Sequence, residues 1–89
     1  MNRLFHVGIG GATLTPEGIA QIERALGTVD WYRNGAYSWI IYGAGSLDEW
    51  RDYLREVPSL QGSASFFLCE ISSYSGYLNQ GGWDWLKGK

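Results

Sequence analysis

Cysteine occurs once in these 89 residues, histidine once, and lysine not before position 87. A single thiol, Cys69, excludes a disulfide framework and has no second cysteine with which to hold a metal or form a redox pair. It reads as a small core residue. The one histidine, His6, lies in the middle of a strand-like run and gives no Ser-His-Asp arrangement that sequence can assign. It reads as a packed or sheet-face side chain. Long apolar runs are also missing, so no segment can span a bilayer. Met1-Asn2-Arg3 leads straight into a strand pattern without a signal-peptide hydrophobic region, and a cytoplasmic protein is expected. A basic excess is missing too: Lys and Arg number 7 against 9 Asp and Glu, a net charge of −2. That weighs against a broad phosphate-binding surface.

What is abundant is aromatic. With 45% hydrophobic and 18% charged residues the chain is too apolar to be disordered. A chain this short buries roughly 60–65% of its unfolded surface, enough for one modest core. Five Trp and six Tyr exceed what such a core needs. Large aromatics serve interfaces as well as interiors.

Leu4–Ile9 alternates as a strand, with Phe5, Val7 and Ile9 on one face. Thr15-Pro16-Glu17 opens a helix: a capping threonine, proline at the first helical position and an acid beside the positive end of the dipole. Ile19, Ile22 and Leu26 carry its apolar stripe, and Gly27 ends it. In "DWYRNGAYSWIIYG" the Asn34-Gly35 pair signals a hairpin between strands near 29–33 and 37–42. Ser46-Leu47-Asp48-Glu49 is a capping box. Leu47, Trp50, Leu54 and Val57 then form a second buried stripe, stopped by Pro58. Ser65–Ile71 is a fourth strand. The order β-α-β-β-α-β predicts one α+β domain over 1–89, a ferredoxin-like sandwich: a four-stranded antiparallel sheet with both helices on one face. The aromatic tail, 72–89, is expected to pack on the domain or on a dimer partner.

Gly8-Ile9-Gly10-Gly11, between a strand and a helix, has the outline of a phosphate loop. The helix starts about five residues too late, however, and no lysine or third glycine follows. The glycines read as a sharp strand exit.

The order of elements, with "VDWYRNGAYSWIIYG", "SLDEWRDYLREV", "SFFLCEIS" and "GYLNQGGWDWLKGK", resembles the SinR-like small proteins. These are ferredoxin-like relatives of the CRISPR-associated adaptation endonucleases. The resemblance runs from Val29 onward, in pattern more than identity. It implies the fold and a homodimer to which the C-terminal segment contributes. Nuclease members of the wider group hold a divalent metal on a Tyr-Asp pair at the end of strand one. Ile9-Gly10 stands there, and Gly10 offers no carboxylate oxygen to a hard cation. This departure from the family's pattern weighs against metal-dependent cleavage, and no cofactor or metal site is expected.

Asp48, Asp52 and Glu56, beside Arg51 and Arg55, line one face of the second helix and read as a solvated face. The hairpin is aromatic on both faces, and the sheet face away from the helices is open unless something covers it. Trp31, Tyr32, Arg33, Tyr37 and Trp39 are the candidate partner-binding residues. Tyr74, Tyr77, Trp83 and Trp85 are the candidate dimer and tail contacts. A protein interface is favoured over base stacking, because only Arg33 stands in the hairpin to hold phosphate. The expected function is a small non-catalytic binding module that works through protein contact, antitoxin-like or a phage-defence or anti-defence inhibitor. The alternatives are a metal-dependent endonuclease drawing carboxylates from Asp30 or Glu70, and a single-strand nucleic-acid binder.

Overall fold

The computed structural model of the chain describes residues 1–11, 13–62 and 64–89. Four strands, β1 (Arg3–Gly10), β2 (Asp30–Gly35), β3 (Ser38–Gly43) and β4 (Ser65–Ile71), form one antiparallel sheet in the order β2-β3-β1-β4. Helix α1 (Pro16–Leu26) connects β1 to β2 across β3, and α2 (Leu47–Arg55) connects β3 to β4 across β1. Both connections are split βαβ units, so the fold is the expected ferredoxin-like α+β sandwich.

The helix starts are those the sequence predicts. Thr15 accepts from the Gly18 amide at 3.0 Å with Pro16 behind it. Ser46 and Glu49 exchange both bonds of a capping box, at 3.1 and 3.0 Å. Phe5 and Val7 of β1, Trp39 and Ile41 of β3, Ile22 and Leu26 of α1 and Leu54 of α2 close without solvent between them. A short 3-10 turn, Pro58–Leu60, follows α2. It ties α2 to α1: the Ser59 amide donates to Gln21 Oε1 at 3.1 Å, and the Ser59 hydroxyl donates to the Gly18 carbonyl at 2.9 Å.

Two expectations are corrected. Asn34-Gly35 is not the turn of the hairpin. Gly35 pairs with Ser38, the loop is Ala36-Tyr37, and the register shifts between Arg33 and Gly35, which makes Asn34 the extra residue of a bulge. No residue of the turn takes a positive φ. Side-chain anchors set this turn instead. The Tyr37 hydroxyl bridges the Leu14 amide and carbonyl at 3.2 and 3.3 Å, and the Tyr37 carbonyl accepts from the Ile9 amide at 2.9 Å. Arg33 donates to the carbonyls of Gly35 and Ala36. Second, Leu47 is exposed while Trp50, Leu54 and Val57 are buried, so the stripe of α2 begins one turn later than the pattern predicts. The tail, for which no element is read from sequence, contains a helix, α3 (Gln80–Leu86), capped by Asn79 Oδ1 on the Gly82 amide at 2.8 Å.

The tail returns to its own domain, on the face away from α1 and α2. Leu86 packs with Leu4 and Ile40, and Tyr42, Ile71, Leu78, Trp83 and Trp85 surround them.

Candidate functional site: the half of the sheet face that the tail leaves bare

Side chains alternate along each strand, so the register sorts them into two faces. Toward α1 and α2 point Trp31, Trp39, Ile41, Phe5, Val7, Phe66 and Leu68, all in or against the main core. Toward the tail point Tyr32, Ile40, His6 and Cys69 in one cross-strand row, with Asp30, Tyr42, Leu4 and Ile71 on one side of it. On the other side lie Ser38, Gly8 and Phe67.

The tail covers one half of this face. Tyr32 stacks on Trp85 with ring centroids 5.9 Å apart and donates its hydroxyl to Asn79 Oδ1 at 2.7 Å. The Trp85 indole N–H donates to Asp30 Oδ1 at 2.9 Å. Lys89 lies 4.5 Å above the Trp85 ring, bonds the Trp85 carbonyl at 2.7 Å and pairs with Asp30 at 3.3 Å. The Trp85 indole first, and then the Lys89 ammonium, hold the Asp30 carboxyl below its ordinary value of 3.8. Tyr74 stacks on Trp83 at 6.4 Å.

The other half stays open. Phe67 is 77% exposed on β4, where its cross-strand neighbour on β1 is Gly8, with no side chain to lay against it. Tyr77 is fully exposed on the loop that leads to α3. Between that loop and the sheet is a cavity of about 310 Å³ bounded by His6, Asn34, Ile40, Tyr77, Trp83 and Leu86. At its floor the bulge aims Asn34 at His6: Nδ2 lies 3.3 Å from Nε2, donating when the ring proton is on Nδ1. Asn34 Oδ1 is buried and has no partner among the described residues. Cys69 is the β4 neighbour of His6. Sequence distance hides this His6, Asn34, Cys69 grouping, and only strand order and the bulge bring it together. Among the described residues no hydrogen bond joins the thiol to the ring, so a nucleophile–base pair is not formed there.

The hairpin residues singled out from sequence are placed elsewhere. Trp39 is fully buried on the helix side and donates its indole N–H to Glu23 at 3.0 Å, so it has no surface to offer a partner. Trp31 packs against the same core, Tyr37 is held at Leu14, and Tyr32 lies under Trp85. Arg33 is exposed, but its guanidinium is turned back over the Trp39 ring at 5.7 Å. Of the tail residues, Trp83 and Trp85 are half-buried on their own sheet, while Tyr74 and Tyr77 keep open surface. Phe67, the most prominent apolar side chain of the bare half, reads from sequence only as part of a strand. A signal is nevertheless present: Phe66-Phe67 puts an aromatic on both faces of the strand, and only one face has helices.

Asp30 and Glu70 do not converge. They sit on the two outermost strands, about 14 Å apart at three strand spacings, and alternation points them to opposite faces. Glu70 pairs with Arg3 at 3.4 Å. Among the described residues no three His, Cys, Asp or Glu gather within reach of one ion. On α2, Arg51 pairs with both Asp48 and Asp52, at 3.3 and 3.0 Å. The Gly8–Gly11 stretch is strand up to Gly10, and Gly11 takes the exit turn at φ 79°. No helix among the described residues is long and apolar enough to cross a membrane. No family model, no curated protein and no solved structure matches the chain.

Proposed function

We propose that the protein is a small binding module that acts as a homodimer and contacts another protein through the bare half of the tail-side sheet face. The observation that carries this reading is Phe67, 77% exposed in the middle of a regular strand, with fully exposed Tyr77 on the adjoining loop. An exposed aromatic on a sheet face, beside a cavity that Tyr77 borders, is surface of the kind a partner covers. Its chemistry favours a protein over a nucleic acid. Ser38, Cys69, Phe67 and Tyr77 supply aromatic and uncharged polar surface, and no lysine or arginine stands among them to neutralise phosphate. The net charge of −2 points the same way. The antitoxin-like, phage-defence or anti-defence setting rests on the SinR-like resemblance alone and adds no residue to the site.

The test is photo-crosslinking in the native host, with benzoylphenylalanine in place of Tyr77. A discrete protein adduct, reduced when His6 and Ser38 are both made Glu, is the expected result. Adducts to nucleic acid, or none, would overturn the reading. So would metal-dependent cutting or salt-dependent retention of labelled single-stranded RNA or duplex DNA by the purified protein.

A further inference from the structure

Both outer strands of the sheet expose a row of backbone donors and acceptors, and the two are dressed differently. β2 carries Asp30 and Arg33, is broken by the Asn34 bulge, and is clamped by Tyr32 and Asp30 to the tail. Charges, bulges and covering segments are the devices that keep an edge from pairing. β4 has none of them beyond a single charge. Ser65–Ile71 holds Glu70, no proline and no lysine, and its register with β1 runs without a shift over seven residues. Its outer side accepts no further strand and, among the described residues, no loop hydrogen bond. Such an edge is a template for another strand.

We infer that β4 pairs antiparallel with β4 of a second copy of this chain, on a two-fold axis through Phe67, to make a continuous eight-stranded sheet. The inference rests on the homodimer reading above and names its interface. A second copy fits because the strand is self-complementary in this register. Phe67 faces the partner's Phe67 on the tail side, an aromatic cross-strand pair. Phe66 faces the partner's Leu68 on the helix side, so two half-buried core residues continue into the neighbouring core. Ser65 faces the partner's Cys69, and Glu70 falls opposite the partner's Ala64, clear of its own copy and still beside Arg3. Like charges directly opposite would be destabilising, and this register has none. A two-fold perpendicular to the sheet keeps α1 and α2 of both copies on one side and both tails on the other. The two bare strips then merge into one surface between the tails.

Hydrogen exchange with light scattering distinguishes the possibilities. The expected mass is twice 10.0 kDa, with all β4 amides from Phe66 to Glu70 protected together. Phe67→Asp, at a side chain that the fold leaves exposed, should give a folded monomer in which alternate β4 amides exchange at least tenfold faster. In a Cys69→Ser background, Phe67→Cys should be linked to a dimer by mild oxidation and Ser65→Cys should not. A dimer with alternate β4 amides unprotected would overturn the edge pairing and leave the homodimer reading standing. A monomer at all concentrations would overturn both.

Discussion

The two faces of the sheet are built from the same strands and finished in different ways. On the helix side eleven buried residues, drawn from β1, β3, both helices and the segments beside them, form one cluster. On the tail side the buried cluster is three: Leu4, Ile40 and Leu86. The helix side is closed by apolar burial, the main driving force of folding. The covered half of the tail side is held by aromatic stacking and by polar ties at its margin: Tyr32 to Asn79, Trp85 to Asp30, and Lys89 to both. Exposed polar ties are individually worth little. One face therefore carries the stability of the fold, while the other is held closely enough to position a surface and loosely enough to change.

Trp39→Ala should have the largest effect. It removes a fully buried indole from the middle of the helix-side core and leaves Glu23 without its donor. The expected loss is about 3–5 kcal/mol, a large share of the roughly 5–15 kcal/mol of a typical domain. Chemical denaturation should show a protein at the margin of folding. Leu86→Ala removes the centre of the tail-side cluster and should cost about 2 kcal/mol, the low end for a buried leucine. Its signature should be local: tail tryptophan fluorescence changing before far-UV circular dichroism does. If the two substitutions cost the same and both probes move together, the faces form one cooperative unit and the distinction fails.

Legibility follows the same division. The helix side is readable because its signals are local: Thr15-Pro16, Ser46 with Glu49, and alternation along Leu4–Ile9 each act within a few residues. Together they fix which face of each element is apolar, and so which faces meet. The tail side is not readable, because its determinants are contacts between distant segments. Gly81 and Gly82 in the first turn disfavour a helix there. Asn79 caps it, and packing on Ile40 and Leu4 holds it in place. The hairpin misleads for a related reason. Asn34-Gly35 has the local chemistry of a turn, but Tyr37 anchored at Leu14 moves the turn by two residues and leaves Asn34 in a bulge. Gly35 takes no positive φ there, and a Cβ in its place would meet only Ser38 Oγ, which turns away by rotation of the serine side chain. Surplus aromatics on a hairpin say nothing about which side a distant tail will cover, and Trp39 is fully buried.

Two smaller perturbations probe the polar ties alone. Tyr32→Phe keeps the stack on Trp85 and removes only the hydroxyl that donates to Asn79. A cost of about 1 kcal/mol or less is expected, read as faster hydrogen exchange in α3 with the helix-side amides unchanged. The smallest effect is the one set by pH. Asp30 titrates below its ordinary value of 3.8 in the folded protein, because the Trp85 indole and then Lys89 favour its carboxylate. In the unfolded chain it takes up its proton at higher pH than in the folded one. Its contribution is therefore fully present above 3.8 and is lost as pH falls through the folded value. Because the carboxylate is half exposed, solvent screens the interaction and the contribution is modest. Exchange of the α3 amides should be independent of pH-driven undocking above that range and should quicken below it, once the intrinsic rate is divided out. Asp30→Asn should remove that acid-dependent step while leaving the acid response of the helix side in place. An unchanged step in the variant would assign the tail's acid sensitivity to other carboxylates and take Asp30 out of the latch.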